Sequence, residues 1–219
     1  QFSEQALAPF AAQWDREHFF PKETIQKAGE LGFCGLYSPE SEGGLGLSRL
    51  DASVIFEQLA MGCTTTTAML TIHNMATWMI ATWGSDEVRA RWCPSLVTGE
   101  QLASYCLTEP GAGSDAASLK TKAEKKQSGY ILNGSKVFIS GAGETDVLVV
   151  MARTSNDGAK GISSFVVPTH LLFLGSFEGL RVRILDNYCL RNLIQLEYNA
   201  FEPAVIPVTT LTLSKIENL

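Results

Sequence analysis

The sequence predicts an α+β protein, with an amino-terminal helical domain followed by an antiparallel β domain. Three observations carry this expectation. Over residues 1–100 apolar side chains recur at helical spacing. From about residue 101 they fall in short runs separated by turn signals, as buried strands do. The two patterns are segregated along the chain, so a βαβ alternation with a parallel sheet is not expected. The expected domains are 1–100, helical; 101–167, β; and 168–219, a tail without a clean pattern.

Taken in order, Leu7, Phe10, Ala11 and Trp14 share one helical face. Pro21 opens a second helix and Gly32 closes it. Ser48 and Asp51 form an N-cap pair. Leu50, Val54, Ile55 and Leu59 are then expected as a buried stripe, with Glu57 turned away. Ala68, Ile72, Met75, Ala76 and Met79 mark another helix ending near Gly84. A last helix runs from Asp86 towards Leu96, disturbed at Pro94, which has no amide hydrogen to donate. The glycines at 43, 44 and 46 make a loop.

In the β region, 103–107 is short and apolar like a buried strand. Residues 130–132 and 135–139 are expected to form a hairpin about Asn133-Gly134, a favoured tight turn. Residues 146–152 and 162–167 are two further strands. Residues 180–196 mix apolar and charged side chains without a stripe. Residues 208–213 alternate like one strand, and neither segment has an evident partner.

The net charge of -6 and pI of about 5.1 argue against a nucleic-acid partner, since phosphate binding needs a dense basic patch. Lys120, Lys122, Lys125 and Lys126 read as a solvated strand and turn. The five cysteines, Cys34, Cys63, Cys93, Cys106 and Cys189, are scattered and contain no C-x-x-C pair. Reduced, buried thiols are expected, and neither a disulfide framework nor a zinc site. His18, His73 and His170 are too far apart for metal spacing, and His73 is expected to be structural. No metal ligands are assigned. No apolar run approaches the roughly 20 residues that span a bilayer, so no membrane association is expected. The greasiest stretch, 171–174, is far too short. The first residue is Gln1, so any targeting peptide would lie upstream.

The chemistry concentrates in TEPGAGSD, residues 108–115. Pro110 and Gly111 make a turn, and Gly111 and Gly113 allow a ligand close to the backbone. Successive N–H groups in such a loop can cradle an anion. Thr108 and Ser114 add hydroxyls. No Lys follows the glycines, so it is not the phosphate loop of the NTPases. It does not open a helix after a strand, so it is not a dinucleotide fingerprint. It lacks the G-x-S-x-G elbow of a hydrolase nucleophile. Composition alone leaves ligand binding and a plain turn both open.

The run YCLTEPGAGSD, with NGSKVFISG at 133–141, resembles the acyl-CoA dehydrogenase family. GLGLSRLDASVIFEQLA (44–60), IHNMATWMI (72–80) and GYILNGSKVFISGAGETD (129–146) extend the resemblance over residues 1 to about 167. The resemblance implies a flavoprotein oxidoreductase with FAD as cofactor. It implies α,β-dehydrogenation of a short branched acyl-CoA of the isobutyryl-CoA kind, as in valine breakdown. Electron-transfer flavoprotein would be the acceptor, the assembly a homo-oligomer (a tetramer in full-length relatives), and the location the mitochondrial matrix. Carried over position by position, Tyr105, Cys106, Leu107, Thr108, Glu109, Pro110, Gly111, Ala112, Gly113 and Ser114 would line the FAD. Thr108 would lie near the pyrimidine side of the flavin, and Ser114 near the pyrophosphate and the acyl-CoA substrate. Phe138 would lie against the isoalloxazine ring, where many relatives have Trp. Ile139 would flank it, and Ser140 would bond near flavin N5, where many have Thr. Without the family, Phe138 reads as an inward-facing strand residue.

The resemblance stops at about residue 167. In the family, a glutamate on a carboxyl-terminal helical bundle removes the α-proton, and no matching segment is found in the remaining residues. Glu178, Glu197, Glu202 and Glu217 sit in no family motif, so no catalytic residue is assigned. The expectation is a truncated chain lacking that bundle. The alternative is a non-catalytic flavin- or acyl-CoA-binding or interaction protein derived from such an enzyme.

Overall fold

The computed structural model describes residues 1–126, 129–169, 188–195 and 209–215, the last two stretches as backbone only. The expected His170, the apolar run 171–174, and Glu178, Glu197, Glu202 and Glu217 lie outside the described residues. The chain divides into two compact units, Gln1–Tyr105 and Cys106–Leu219.

The first unit is helical. A wide turn at Ser3–Leu7 leads into α1 (Ala11–Glu17), α2 (Lys22–Glu30), α3 (Arg49–Ala60), α4 (Thr64–Trp83) and α5 (Asp86–Val97). Its core gathers Leu7, Ile25, Ala28, Cys34, Leu59, Met69, Leu70 and Leu102. The expected caps are present. Pro21 precedes α2 and Gly84 ends α4. Ser48 and Asp51 form a reciprocal capping box, which satisfies two amide donors that the first turn of α3 would leave unpaired. α5 runs through Pro94 to Val97, so the proline does not end it.

Two buried stripes differ from expectation. Leu50 and Val54 are 74% and 54% exposed, while Ala52 and Leu59 face the core with Ile55 and Phe56 half-covered. The helix is therefore rotated so that Leu50, Val54, Glu57 and Met61 share the outer face. On α4 the buried positions are Thr66, Thr67, Met69, Leu70, His73, Asn74, Thr77, Ile80 and Ala81, with only Ala76 of the expected set. Polar side chains bring this about. The Asn74 amide donates to Phe33 O and Leu70 O, and its Oδ1 accepts from Leu36 N. His73 Nδ1 accepts from Ala103 N at 3.0 Å, and Nε2 lies 2.9 Å from Leu96 O. His73 is thus a satisfied core histidine, as expected. An apolar-only count misses such groups because each is buried with its partners.

The strand β1 (Ala103–Cys106) straddles the boundary between the units. In the second unit β2 (Lys122–Lys126) pairs antiparallel with β3 (Gly129–Asn133), and β4 (Val147–Arg153) pairs antiparallel with β5 (Ile162–Pro168). One parallel bridge, Lys122 to Arg153, joins β2 to β4, so the sheet is mixed although these two ladders are antiparallel. β6 (Tyr188–Gln195) and β7 (Thr209–Lys215) pair with each other, which supplies the partner that neither shows in sequence.

The hairpin about Asn133-Gly134 does not form. β3 pairs backwards with β2, and residues 135–139 are not a strand. Two local reasons are visible. A Cβ on Gly134 would stand 2.2 Å from Thr121 Oγ1, so the glycine serves close packing and not a tight turn. Phe138 takes φ +56°, which breaks an extended run.

The four cysteines whose side chains are described, Cys34, Cys63, Cys93 and Cys106, are buried and free. No group of metal-binding side chains occurs among the described residues. No described helix is long and apolar enough to cross a membrane.

Candidate functional site

Residues 109–112 close on themselves. Glu109 N donates to Ala112 O at 2.8 Å and Ala112 N to Glu109 O at 3.2 Å, with Pro110-Gly111 at the tip. Proline presets φ at the first corner of such a turn, and Gly111 follows it without a positive φ. Ala112 points inward, while Pro110, Gly111, Gly113 and Ser114 are exposed. A Cβ built on Gly111 or Gly113 meets no atom within 4 Å. These glycines leave open space beside the backbone and are not packed against the protein. Among the described residues the N–H groups of Gly111, Gly113 and Ser114 have no protein acceptor, so they are available to an anion.

Behind the turn lies a buried ion pair that the sequence pattern does not reveal. Lys136 Nζ donates to Glu109 Oε1 at 2.8 Å and to Leu107 O at 2.8 Å. The other donors to Glu109 are Lys120 N at 2.6 Å and Thr121 N at 2.9 Å. Burial alone would raise the Glu109 carboxyl's pKa. The Lys136 ammonium and the amide donors outweigh it and hold the pKa at about 2. Val137 N donates to Thr108 O at 2.9 Å, a second tie between the same two segments. Alternation through 135–139 would place Lys136 in solvent. The available signal was a carboxylate, Glu109, in one motif and an ammonium, Lys136, in the other.

The structure therefore brings Leu107, Thr108 and Glu109 together with residues 136–139. Cys106 and Ile139 share a small core with Ala142, Leu148 and Val150. Burial pushes the Cys106 thiol up to about 12, so it stays protonated and is no nucleophile. Phe138 is 66% exposed, which overturns its reading as an inward strand residue. A bulky residue at positive φ with its ring outward is a strained arrangement of the kind that marks binding sites. Thr108 and Ser140 are half-buried, and Tyr105, also half-buried, ends the first unit.

Residues 1–100 match the profile of the acyl-CoA dehydrogenase N-terminal domain, and residues 104–198 that of the acyl-CoA dehydrogenase middle domain. The second match runs into the segment that shows no clear pattern in sequence. The chain is 57% identical over 166 residues to mitochondrial isobutyryl-CoA dehydrogenase of Bos taurus, covering 76% of this chain and 40% of that protein. The Dictyostelium discoideum isobutyryl-CoA dehydrogenase is 53% identical over 167 residues, with the same coverage of each. Among solved structures, a glutaryl-coenzyme A dehydrogenase in complex with glutaryl-CoA superimposes with TM-score 0.77 at 32% identity, over 99% of this chain and 52% of that one. Butyryl-CoA dehydrogenase from Megasphaera elsdenii gives 0.75 at 26%, over 99% and 54%. An FAD complex of PigA gives 0.78 at 26%, over 98% and 52%. The chain thus spans about 40% of the length of those curated relatives.

Proposed function

The chain belongs to the acyl-CoA dehydrogenase family, and from that premise we propose that it forms the flavin-binding part of an FAD-dependent dehydrogenase acting on a short branched acyl-CoA such as isobutyryl-CoA. The observation that carries this reading is the open glycine turn at 109–113 tied to the segment bearing Phe138 and Ser140. The substrate class rests on the similarity to the two isobutyryl-CoA dehydrogenases. A mitochondrial matrix location, electron-transfer flavoprotein as acceptor and a homo-oligomeric assembly go with it.

The residues present fit FAD. Unpaired N–H groups beside two open glycines suit a pyrophosphate, an outward aromatic ring suits the face of a flavin, and flanking hydroxyls suit its polar edge. When bound, FAD supplies the acceptor for the hydride that leaves the acyl β-carbon. This chain's residues bind and orient. Gly113 and Ser114 offer N–H donors, Thr108 and Ser140 offer hydroxyls, and Phe138 covers the ring and keeps water from it. Tyr105, Cys106, Leu107, Glu109, Pro110, Ala112 and Ile139 shape the loop and its support, and Ser114 also reaches the acyl-CoA.

No described carboxylate is assigned as the base for the α-proton. Glu109 lies within the loop, but it is buried, accepts from Lys136, Lys120 and Thr121, and is held at about 2, so it stays ionised and is a poor base near neutral pH. This favours a binding role, without turnover, for the described residues by themselves. The test is anaerobic mixing of the FAD-loaded chain with isobutyryl-CoA while following the oxidised flavin absorbance. Flavin that binds but is not bleached is the expected result. Prompt bleaching would contradict it, and its loss on changing Glu178, Glu197, Glu202 or Glu217 to Gln would then identify the base.

A further inference from the structure

The Glu109–Lys136 pair is more elaborate than a turn of this size requires. A two-residue turn at 110–111 is already closed by its own two hydrogen bonds. Yet a carboxylate and an ammonium are buried behind it, with side chains 6% and 10% exposed. Burying two charges is expensive, and an apolar pair of similar volume often serves stability as well or better. The bonds the pair makes are directional. Lys136 holds Leu107 O, on the amino-terminal side of the turn, together with Glu109. Glu109 in turn holds the amides of Lys120 and Thr121, on the carboxyl-terminal side. The turn is therefore gripped on both flanks and fixed to the segment that ends in Phe138.

We propose that Glu109 and Lys136 are a positioning pair, which fixes the loop 110–114 against the Phe138 segment in its ligand-accepting shape before ligand arrives. The inference rests on the flavin-site reading for what the ligand is, though not for the ordering of the loop. Neither residue touches the reacting atoms. Both act by holding the backbone whose N–H groups face the anion, and a preorganised loop loses less freedom on binding.

The test separates stability from positioning. Glu109→Gln and Lys136→Met each leave a buried polar partner unmatched and lower the melting midpoint. The double variant Glu109→Gln/Lys136→Met removes both charges and regains most of that loss. If the pair positions the loop, the double variant still shows at least tenfold faster amide exchange at Ala112 and Val137, whose N–H bonds report the closed turn and its tie to Val137. Its affinity for FAD, read by flavin fluorescence, falls at least tenfold as well. Wild-type exchange together with wild-type FAD affinity in the double variant would overturn the proposal, leaving the pair a stability element only. The exchange measurement needs no ligand. If the unaltered chain took up no FAD, the proposed function would fall while exchange at Ala112 and Val137 still decided the positioning role.

Discussion

Single residues at the site make two sharp predictions. Glu109 has a folded pKa of about 2, below its ordinary value of 4.5. Its ionised form is thus favoured by folding, and its contribution is fully present above about pH 4.5 and disappears as the pH falls towards 2. A shift of that size corresponds to at most about 3 kcal/mol. Between pH 4.5 and 2.5 the denaturation midpoint of the unaltered chain should fall more steeply than that of Glu109→Gln. Parallel curves would show that the carboxylate is not held as described. Phe138 makes the second prediction, because its cost and its use are separable. Positive φ is unfavourable for a bulky side chain by roughly 1–2 kcal/mol, a cost that a glycine at this position would not carry. Phe138→Gly should leave the melting midpoint unchanged or raised while weakening FAD binding. A lower midpoint with FAD affinity intact would make the ring a packing residue after all.

Elements were legible in sequence where their signals are local. The capping box at Ser48 and Asp51, the Gly84 stop and the strands at 147–153 and 162–168 follow from cap chemistry and from short apolar runs separated by turn signals. Ser48→Ala should cost about 1 kcal/mol in chemical denaturation, since it removes one side of that box; no measurable change would mean the first turn of α3 is held by packing instead. What sequence could not show depended on distant partners. The buried face of α4 is set by Asn74 and His73, whose partners lie at Leu36, Phe33, Leu96 and Ala103. Asn133-Gly134 looks like a hairpin turn until Thr121 is known to pack on the glycine. At the site the glycine turn was readable from composition, but Lys136 was not, because burying a lysine makes sense only with Glu109 beside it. The outer face of α3 obeys the same logic. Leu50 and Val54 are exposed, so Leu50→Lys and Val54→Lys should each change stability by less than about 0.5 kcal/mol. A loss of about 2 kcal/mol or more, as for a core leucine, would restore the inward orientation.

At the scale of the whole molecule, a helical unit and a mixed-sheet unit are found, and the second carries the glycine turn to which the proposed function assigns the flavin. The central claim is that the space beside Gly113 is where the ligand lies. A Cβ added at Gly113 meets no protein atom within 4 Å, so the fold itself should accept a small side chain. The direct test is FAD titration of the unaltered chain and of Gly113→Val, with melting curves recorded on both. The expected result is equal melting midpoints and an FAD affinity at least tenfold weaker in the valine variant, a difference of about 1.4 kcal/mol or more. Equal FAD affinity in the two proteins would contradict the claim, because the ligand would then lie elsewhere.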